Sequence, residues 1–550
     1  MKLLKGFTSY NQKDAEKYNR LRWWAGLTFG DILDKAADIY PDRESLVDTN
    51  SRLTYSQVRE KVNRFAISLM KLGIKATDRV LVQLPNWNEF VYAYFGLQKI
   101  GAIPVLLIDR YRQYEIDHLF RLTGATTWIV PQEYKKIDYL PIVDDVLKNN
   151  PKIKHVILVR GKNHKRLLNM EKMIEQAELT RENLNRLAKR RPDSMQVAHM
   201  GPTGGTTGLP KIVPRTHNDY LCRVEYAARA LEQTQDDIML INAPIGHDLP
   251  FSLGLCTTLF TFGKVVMLDS TQPEDVCKMI QKEKITVIAW IPTLASRLVN
   301  SEGLREYDLS SLKKMLCGGG ASHAQLIRDA SQTLGCIYVS SYGSTEGMKT
   351  QTRLGDDIEL ACRSVGKPAC PYDIYKIVDP KGKELPRNTQ GELVAKGPGV
   401  FTGYYNAPEE NKKAFAKHGF FKTGDLAVMD DAGNITITGR IKEMINRGGE
   451  SISALDIERL ISAHVDVAAV AVIPMPDPVM GERVCAYIQS KPGAKIDFEG
   501  VISFLKSKKA SVLQLPERIE FVDGLPLTQA GKVDKKALVE DIKKKISYSP

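Results

Sequence analysis

The segment GPTGGTTGLPK, residues 201–211, is rich in glycine and threonine and ends on one cation, Lys211. Closely spaced glycines let backbone N–H groups approach a ligand, and threonine hydroxyls add donors, so the segment suits phosphate oxygens. Two common phosphate loops do not fit it, because Leu209 and Pro210 separate Gly208 from the lysine and the glycines do not follow GxGxxG spacing. The segment alone leaves a surface loop without function as an alternative.

The chain around this loop alternates between strand-like and helix-like patterns. Apolar residues at helical spacing over 87–102 predict a helix, and the short apolar runs on either side of it predict buried strands. Strands that alternate with helices indicate parallel sheets covered by helices on both faces. Predicted strands of this kind lie at 78–86, 103–108, 125–131, 155–161 and 284–293.

The pattern changes after residue 360. Short strands separated by proline, glycine and asparagine turns predict an antiparallel sheet or a small barrel there. From about Arg440, helices and strands alternate again, as in a small α/β domain. We therefore predict an α/β protein with a large N-terminal domain, residues 1–439, and a small mobile C-terminal α/β domain, residues 440–550. The large domain would hold two α/β subdomains and a β-rich, barrel-like subdomain.

Composition argues against several other classes of protein. The net charge of +12 is spread along the chain rather than clustered, so it does not indicate a nucleic-acid-binding protein. The eight cysteines form no CxxC pair or His/Cys cluster, which argues against structural zinc and for a reducing compartment. The most apolar window, 251–268, is interrupted by Lys264 and indicates buried core rather than a membrane span. We expect a cytoplasmic protein.

Four further motifs follow the glycine loop in order. They are YGSTEG (342–347), FKTGDL (421–426), GRIKEMINRGGESI (439–452) and PLTQAGKVDKKAL (526–538). Together with TGGTTGLPK (203–211), they resemble the ordered motifs of the adenylate-forming superfamily, which contains acyl- and aryl-CoA ligases, luciferases and the adenylation domains of peptide synthetases. The resemblance covers essentially the whole chain.

Other segments resemble one branch of that superfamily, the stand-alone aryl-acid adenylating enzymes of the 2,3-dihydroxybenzoate–AMP ligase type, which load siderophore carrier proteins. These segments lie at 6–33, 213–220, 445–452 and 474–488. The resemblance implies ATP-dependent activation of an aromatic carboxylic acid as its acyl-adenylate, with release of pyrophosphate. Transfer to the pantetheine thiol of an aryl carrier protein would follow. Aryl-CoA ligases that use free coenzyme A share the five ordered motifs and remain the alternative.

Two other functions stay open on the sequence. A luciferase-type oxygenase would share the adenylation half of the reaction, and a nucleotide-binding protein would have lost the chemistry altogether. The joint presence of Glu346, Asp425 and Lys532 argues against the second of these, because the resemblance gives each of the three a role in catalysis or nucleotide binding.

The resemblance also implies which residues bind ATP and Mg²⁺. Glu346 would hold Mg²⁺, which prefers hard oxygen ligands, and Thr345 would donate to the α-phosphate. Tyr342 would stack on adenine, Asp425 would accept from the ribose hydroxyls, and Arg440 would support the sugar or a phosphate. The loop residues Thr203, Gly204, Gly205, Thr206, Thr207, Gly208 and Lys211 would surround the phosphates, and Gly318, Gly319, Gly343 and Lys442 complete the predicted nucleotide-binding set.

Two residues are predicted to act at the reacting carboxylate. Lys532 matches the family lysine that reaches the substrate carboxylate and the α-phosphate, where it neutralises charge in the transition state. His247 matches the aromatic or histidine gate near the acyl pocket. Outside these motifs, Lys532 would be read as a solvated lysine and His247 as a structural histidine.

The predicted acid pocket departs from its branch. The branch usually has His-Asn-Tyr-Pro-Leu-Ser where this chain has HDLPFS, 247–252, so Asp248 replaces an asparagine that bonds an ortho hydroxyl. An ionised aspartate only accepts, so Asp248 favours a donor such as an ortho amino group. A hydroxyl can also donate, so salicylate-like acids stay open. Lys349 stands where small apolar residues face the ring, and it would pair with Asp248, meet a second substrate carboxylate, or point to solvent. Ser252 and Gly320 complete the predicted pocket.

The same departures predict poor activity with 2,3-dihydroxybenzoate and better activity with another substituted benzoate or a heteroaryl acid. For the second half-reaction, Lys442 matches the pivot about which the small domain turns. Gly448, Gly449 and Glu450 would border the pantetheine tunnel, because glycines leave room for a thin chain. The sequence alone does not decide whether pantetheine arrives on a carrier protein or on coenzyme A.

Overall fold

The computed structural model describes residues 3–547 except 163, 204–209 and 530. Over these residues the chain forms two large sheets, a four-stranded antiparallel sheet and a five-stranded C-terminal sheet, with a small two-stranded ribbon at Glu133–Tyr134 and Ile137–Asp138. This arrangement confirms the predicted α/β class.

The first sheet has seven strands and ends at the two strands that flank the glycine loop. Neighbouring strands are parallel except for the pair at that end, in which Val197–Pro202 runs antiparallel to Ile212–Thr216. In spatial order the strands are Ile212–Thr216, Val197–Pro202, Ile103–Leu107, Arg79–Gln83, Thr127–Pro131, His155–Val159 and Leu168–Asn169. The strands predicted at 78–86, 103–108, 125–131 and 155–161 are therefore confirmed.

The second sheet has nine strands, with a parallel centre and antiparallel pairs at its ends. The carboxyl ends of parallel strands in such sheets are the usual place for ligands. In spatial order the strands are Lys367–Pro368, Lys349–Gln351, Ile337–Gly343, Lys314–Cys317, Val287–Trp290, Ile238–Ile241, Lys264–Met267, Glu44–Val47 and Arg52–Thr54.

Helices cover both faces of each large sheet, and the largest core lies between the two sheets. The central helix Asn88–Lys99 is buried along its whole length, which explains its dense run of apolar residues. Between the sheets lie Phe29–Ile39, Tyr55–Lys71, Asn88–Lys99, His217–Ala230, the π-helix Pro250–Cys256 and Thr257–Phe260, with Met170–Glu175 and Arg181–Ala188 at the edge. The outer helices are Gln113–Thr123 and Leu140–Asn149 on the first sheet, and Pro273–Glu283, Pro292–Val299, Ala324–Leu334 and Ile358–Arg363 on the second.

The β-rich part is an antiparallel sheet whose four strands follow one another in sequence order. The strands are Ile374–Val378, Gly391–Lys396, Phe421–Met429 and Ile435–Arg440, with the helix Pro408–Ala414 beside them. Of the two predicted forms, the sheet is therefore the one observed: the strand path has two ends and does not close into a barrel in the described part of the chain. The N-terminal helix Gln12–Arg20 packs nearby through a cluster of aromatic residues.

The C-terminal sheet begins directly after the last antiparallel strand. The short turn Ile441–Glu443 separates the two sheets, so the change of sheet falls where the hinge is predicted, and the division into domains 1–439 and 440–550 stays a prediction. Its strands are Met444–Arg447, Glu450–Ser453, Val467–Asp477, Gly481–Ser490 and Arg518–Phe521, and its helices are Ala454–Ser462, Phe498–Ser507 and Lys535–Ser547. Short turns of 3₁₀-helix also lie at Leu304–Glu306, Lys417–Gly419 and Val512–Gln514.

The apolar window 251–268 is buried between the sheets, as predicted. Its π-helix, short α-helix and strand follow one another without a helix of membrane-spanning length. Across the described residues, every helix is too short or too polar to traverse a bilayer.

Candidate active site

Strand pairing in the first sheet holds the two ends of the predicted phosphate loop together. The N–H of Thr203 donates to the carbonyl of Lys211 at 2.8 Å, and the N–H of Lys211 donates to Oγ1 of Thr203 at 3.2 Å. The structure therefore fixes where the loop leaves and re-enters the sheet. The predicted phosphate-binding residues Gly204, Gly205, Thr206, Thr207 and Gly208 lie outside the described residues.

Tyr404 connects the predicted metal ligand with the loop lysine. Its hydroxyl donates to Oε1 of Glu346 at 2.8 Å, and Nζ of Lys211 lies 4.7 Å from the centroid of its ring, within the range of a cation–π contact. Burial and the neighbouring Glu346 carboxylate raise the pKa of Tyr404. The hydroxyl is therefore a permanent donor that orients Glu346.

A fully buried arginine fixes the backbone of the YGSTEG turn. The Arg215 guanidinium donates to the carbonyl of Thr345 at 2.9 Å and to the carbonyl of Gly399 at 2.6 Å, and its Nε pairs with Asp219 at 2.7 Å. Gly347 has φ +112°, and a Cβ there would lie 2.3 Å from the Gly399 carbonyl oxygen. Glycine is therefore required beside Glu346, and the turn is rigid.

Asp425 and Arg440 face each other across neighbouring strands of the antiparallel sheet. Their Cα atoms are register partners, and Nε of Arg440 donates to Oδ1 of Asp425 at 2.7 Å. The hydroxyl of Tyr342 donates to Oδ2 at 2.5 Å. A carboxylate has about four acceptor positions, so Asp425 keeps capacity for two further donors. This capacity fits the predicted ribose contact.

The C-terminal domain brings Lys532 to the glycine loop of the second sheet. A Cβ placed on Gly319 would lie 3.8 Å from Cε of Lys532 and 3.7 Å from Cδ1 of Leu249. The hydroxyl of Thr293 donates to the carbonyl of Gly531 at 3.5 Å, which ties the lysine-bearing turn to the large domain. The predicted catalytic lysine therefore lies beside the predicted acid site.

Lys532 is exposed to solvent overall, but the protein around its ammonium group lowers its pKa, and the Arg440 guanidinium lowers it further. The carboxylates of Asp425 and Glu346 act in the opposite direction. Residues from the metal motif, the ribose motif and the C-terminal motif therefore share one electrostatic environment, as a single catalytic site requires.

His247 is neutral at the edge of the same site. Burial and the Lys532 ammonium lower its pKa to about 4. Its Nδ1 accepts from the N–H of Leu249 at 3.4 Å, which assigns the ring proton to Nε2. The preceding Gly246 passes close to the first sheet, because a Cβ there would lie 2.1 Å from the carbonyl oxygen of Leu107. The imidazole can therefore donate a hydrogen bond without carrying charge.

Glycines bring two strand ends of the second sheet into direct contact. Gly318 donates from its N–H to the Trp290 carbonyl at 2.9 Å, and a Cβ on it would lie 2.8 Å from the Ser341 carbonyl oxygen. A Cβ on Gly343 would lie 2.7 Å from the carbonyl oxygen of Met348. Gly320 follows in the same loop, 3.6 Å from the Pro292 ring by the same measure. Side chains on Gly318 and Gly343 would collide with these carbonyl oxygens, whereas a Cβ on Gly320 would make only ordinary van der Waals contact.

Asp248, which the sequence predicts to accept from a donor on the acid or to pair with Lys349, already has protein donors. Its Oδ2 accepts from Nη2 of Arg223 at 2.8 Å, and its Oδ1 accepts from Nη1 of Arg223 at 3.2 Å and from the hydroxyl of Tyr220 at 2.7 Å. Arg223 is the main reason that the pKa of Asp248 is low despite burial. The carboxylate is therefore already neutralised and mostly occupied. Ser252 lies in the same segment, and its buried hydroxyl has no hydrogen-bond partner among the described residues.

Two of the three alternatives for Lys349 are wrong. Its side chain is 2% exposed, so it does not point to solvent, and Asp248 pairs with Arg223 instead. Nζ of Lys349 contacts Oγ of Ser341. Burial lowers the pKa of Lys349 well below its usual value, and Arg223 lowers it further. A second substrate carboxylate is the remaining alternative.

The predicted tunnel residues form a tight hairpin on the C-terminal domain. Gly448 and Gly449 have φ of +57° and +93° and join the strands Met444–Arg447 and Glu450–Ser453. They are exposed, as are Glu450 and the hinge residue Lys442. In this arrangement Lys532, rather than the hairpin, contacts the acid site. The tunnel therefore stays a prediction.

Sequence reasoning missed three residues that organise the site: Arg215, Arg223 and Tyr404. Each is buried and polar. Arg215 follows an Ile-Val-Pro run in a buried strand, where an unpaired charge would be costly, so its position indicated a buried partner. Arg223 and Tyr404 have no comparable local signal.

Two protein-family models match this chain and assign it to a class of enzymes. A model of the AMP-binding enzyme family matches residues 33–405, and the C-terminal domain of AMP-binding enzymes matches residues 456–532. The chain therefore belongs to the AMP-binding enzyme family. The predicted membership of the adenylate-forming superfamily is confirmed.

Individual relatives narrow the comparison to aryl-acid enzymes. The chain is 34% identical over 547 residues to a 2,3-dihydroxybenzoate-AMP ligase of Bacillus subtilis, covering 99% of both chains. It is 31% identical to a salicyl-AMP ligase / salicyl-S-ArCP synthetase of Mycobacterium tuberculosis, covering 98% of this chain and 95% of that one. The apo structure of MbtA from Mycobacterium smegmatis superposes with a TM-score of 0.73 at 30% identity, covering 97% of this chain and 98% of that one.

Proposed function

We propose that the protein activates an aromatic carboxylic acid with ATP and then transfers the acyl group to a pantetheine thiol. The main support for this proposal is the position of Lys532, whose Cε lies close to Gly319. The charges of Asp425, Arg440 and Glu346 all shift the pKa of Lys532. A cation at this point would meet both the substrate carboxylate and the α-phosphate. Relatives named as aryl-acid AMP ligases support the choice of an aromatic acid.

In the first half-reaction, a carboxylate oxygen of the acid attacks the α-phosphorus of ATP. The new P–O bond forms as the bond to pyrophosphate breaks, and Lys532 neutralises the negative charge that gathers between the two substrates. Neutral His247 can donate from Nε2 without repelling Lys532. Positioning of the two reactants supplies the rest of the rate enhancement.

Glu346 fits the Mg²⁺ that ATP normally brings. Mg²⁺ is usually held by one or two carboxylates together with substrate phosphates, rather than by a protein cage. The described residues contain no cluster of three or more metal-ligating side chains, which is compatible with one carboxylate, Glu346. The buried hydroxyl of Ser344 in the same turn has no hydrogen-bond partner there. When bound, the ion would neutralise phosphate charge and polarise the phosphoryl oxygens.

In the second half-reaction, the thiol sulfur attacks the acyl carbonyl and AMP leaves. We favour an aryl carrier protein as the source of the thiol, because one relative is named as a salicyl-S-ArCP synthetase and the branch resemblance agrees. Coenzyme A is the alternative. A cytoplasmic location is part of the proposal, supported by eight cysteines that form no disulfide.

The test is ATP–pyrophosphate exchange with a panel of aromatic and aliphatic acids, followed by acyl transfer to coenzyme A and to aryl carrier proteins. We expect exchange that depends on an aromatic acid and on Mg²⁺, and transfer to a carrier. Exchange with no acid in the panel would refute acid activation. Light emission or oxygen uptake with an added luciferin would favour an oxygenase. Efficient transfer to coenzyme A, with none to any carrier, would select the CoA-ligase alternative.

A further inference from the structure

Lys349 is a buried lysine whose amino group has no carboxylate partner among the described residues. Lys349 is 2% exposed, and Oγ of Ser341 is its side-chain contact. Among the described residues no Asp or Glu oxygen lies within 4.0 Å of its Nζ. A buried ammonium is costly unless it is paired, and burial lowers the pKa of Lys349 accordingly. The amino group has two N–H donors when neutral and three when protonated, while Ser341 supplies one acceptor atom.

Ser341 lies between the amino group of Lys349 and the predicted acid site. Oγ of Ser341 would lie 3.2 Å from a Cβ on Gly318, and the next residue, Gly319, approaches Cε of Lys532. The loop that contains Gly318 and Gly319 therefore has Lys532 on one side and Ser341 with Lys349 on the other. An acid bound at Lys532 would extend its ring toward this second end.

Several buried polar groups near Lys349 have no hydrogen-bond partner among the described residues. Asp248 is engaged by Arg223 and Tyr220 and makes no ion pair with Lys349, although its charge partly opposes the fall in the pKa of Lys349. Nε of Arg223 is buried without a hydrogen-bond partner in the described structure. Gln351 pairs with Ser341 in the strand ladder, so its side chain leaves the same face of the sheet as Lys349. Its amide also has no partner there.

We propose that Lys349 selects aromatic acids that carry a hydrogen-bond-accepting group on the ring, remote from the reacting carboxylate. The inference rests on the proposed function and names the substrate class of that same site. The accepting group is a second carboxylate or a ring nitrogen, both of which accept without donating. A ring amino group is a donor and only a weak acceptor, so it pairs less well with Lys349 and with Nε of Arg223 and is disfavoured.

The experiment compares matched acids on one ring position at a time. Benzoate, an aminobenzoate, a benzenedicarboxylate and the corresponding pyridinecarboxylate are measured by ATP–pyrophosphate exchange as kcat/KM. We expect the dicarboxylate or the pyridine acid to exceed benzoate and the aminobenzoate by about ten- to a hundredfold, as for one hydrogen bond to a charged group. The leading acid of the two identifies which accepting group the site takes.

Lys349→Met keeps the length of the side chain and removes its donors. We expect the ratio of kcat/KM for the leading acid to that for benzoate to fall about tenfold or more, mainly through KM. Lys99→Met is the matched control, since Lys99 is a buried lysine that pairs with Asp34 away from the site. It should leave the ratio unchanged. Thermal unfolding of both variants checks the fold, and the midpoint should not fall for Lys349→Met, because this change removes a buried polar group that has no charged partner.

An aminobenzoate as the best acid, or an unchanged ratio in Lys349→Met, would overturn this inference alone. Absence of exchange with every acid would overturn the proposed function and the inference together. The two failures are therefore distinguishable in one set of assays.

Discussion

The hydroxyl of Tyr404 donates a 2.8 Å hydrogen bond to the carboxylate of Glu346, while the ring of Tyr404 faces the ammonium of Lys211. The Tyr404 side chain therefore contacts both Lys211, at the end of the glycine loop, and Glu346, in the YGSTEG turn. Arg215 fixes the turn itself by donating a hydrogen bond to the Thr345 carbonyl. Tyr404 is therefore a positioning residue for the proposed metal and phosphate contacts.

Tyr404→Phe should weaken the use of Mg²⁺ without changing the fold. Loss of a hydrogen bond to a charged group typically costs about 1.5–3 kcal/mol, so we expect adenylation to fall about tenfold or more at limiting Mg²⁺ and to recover in part at high Mg²⁺. The measurement is the Mg²⁺ dependence of ATP–pyrophosphate exchange. Tyr405→Phe is the control, because Tyr405 packs in a separate core of the first sheet. Equal Mg²⁺ dependence in both variants would contradict the role of Tyr404.

Lys532→Ala should separate the two half-reactions. Removal of one charged contact made in the transition state costs about 3 kcal/mol, or a hundredfold or more in rate, so adenylate formation should nearly cease while ATP affinity changes little. Thiolation of a supplied acyl-adenylate should largely survive, because that step no longer needs the lysine. The control is Lys536→Ala, an exposed lysine four residues further on. Adenylation within a few-fold of wild type in Lys532→Ala would refute the assignment.

Local patterns in the sequence were enough to predict most of the fold. The buried strands Arg79–Gln83 and Ile103–Leu107 and the helix Asn88–Lys99 lie where apolar periodicity indicated them. This succeeds because strand and helix periods depend on near neighbours in the chain. The antiparallel sheet was predicted only as one of two forms, because closure into a barrel depends on pairing between distant strands.

Only the site residues that lie in the sequence motifs could be predicted. Glu346, Asp425 and Lys532 were named from the sequence, and the structure brings them into one electrostatic environment. The partner of Asp248 was not predicted, because Arg223 lies on a different helix, 25 residues away in the chain, and no local pattern links them. Lys349 was left open for the same reason. Which charges pair is decided by packing, not by sequence neighbours.

Asp373 should make stability depend on pH. Burial raises the pKa of Asp373 to about 7, even though its Oδ1 accepts from the N–H of Gly399 at 3.0 Å. The folded state therefore holds a proton that the unfolded chain has lost above its ordinary pKa of 3.8. By linkage, the contribution of Asp373 to stability is full below about pH 4 and is lost as the pH rises to about 7.

Asp373→Asn keeps an acceptor for Gly399 and removes the ionisation. Relative to this variant, the wild-type free energy of unfolding should fall by up to about 1.4 kcal/mol per pH unit between about pH 4 and 7. Urea unfolding at several pH values measures the difference. Asp523→Asn, a change at an exposed aspartate, should run parallel to wild type. A constant difference between wild type and Asp373→Asn across this window would contradict the raised pKa.

In the proposed mechanism, the position of Lys532 beside Gly319 corresponds to the adenylating arrangement of the C-terminal domain, so we expect thiolation to require this domain to turn. Lys442 lies in the short 3₁₀ turn Ile441–Glu443 between the two sheets, where φ is close to the value that proline imposes. Lys442→Pro should therefore accept the docked arrangement and restrict rotation out of it. A few-fold loss of adenylation is expected, because proline disfavours helical backbone at Ile441.

Thiolation should fall much further, by about a hundredfold or more, since the glycine hairpin at Gly448 and Gly449 would no longer reach the site. Each half-reaction is measured separately, adenylation by pyrophosphate exchange and thiolation by acyl transfer from a supplied adenylate. Lys442→Ala is the control for loss of the charge, and both half-reactions should persist in it. If Lys442→Pro lowers both by the same factor, the turn is a structural junction rather than the pivot.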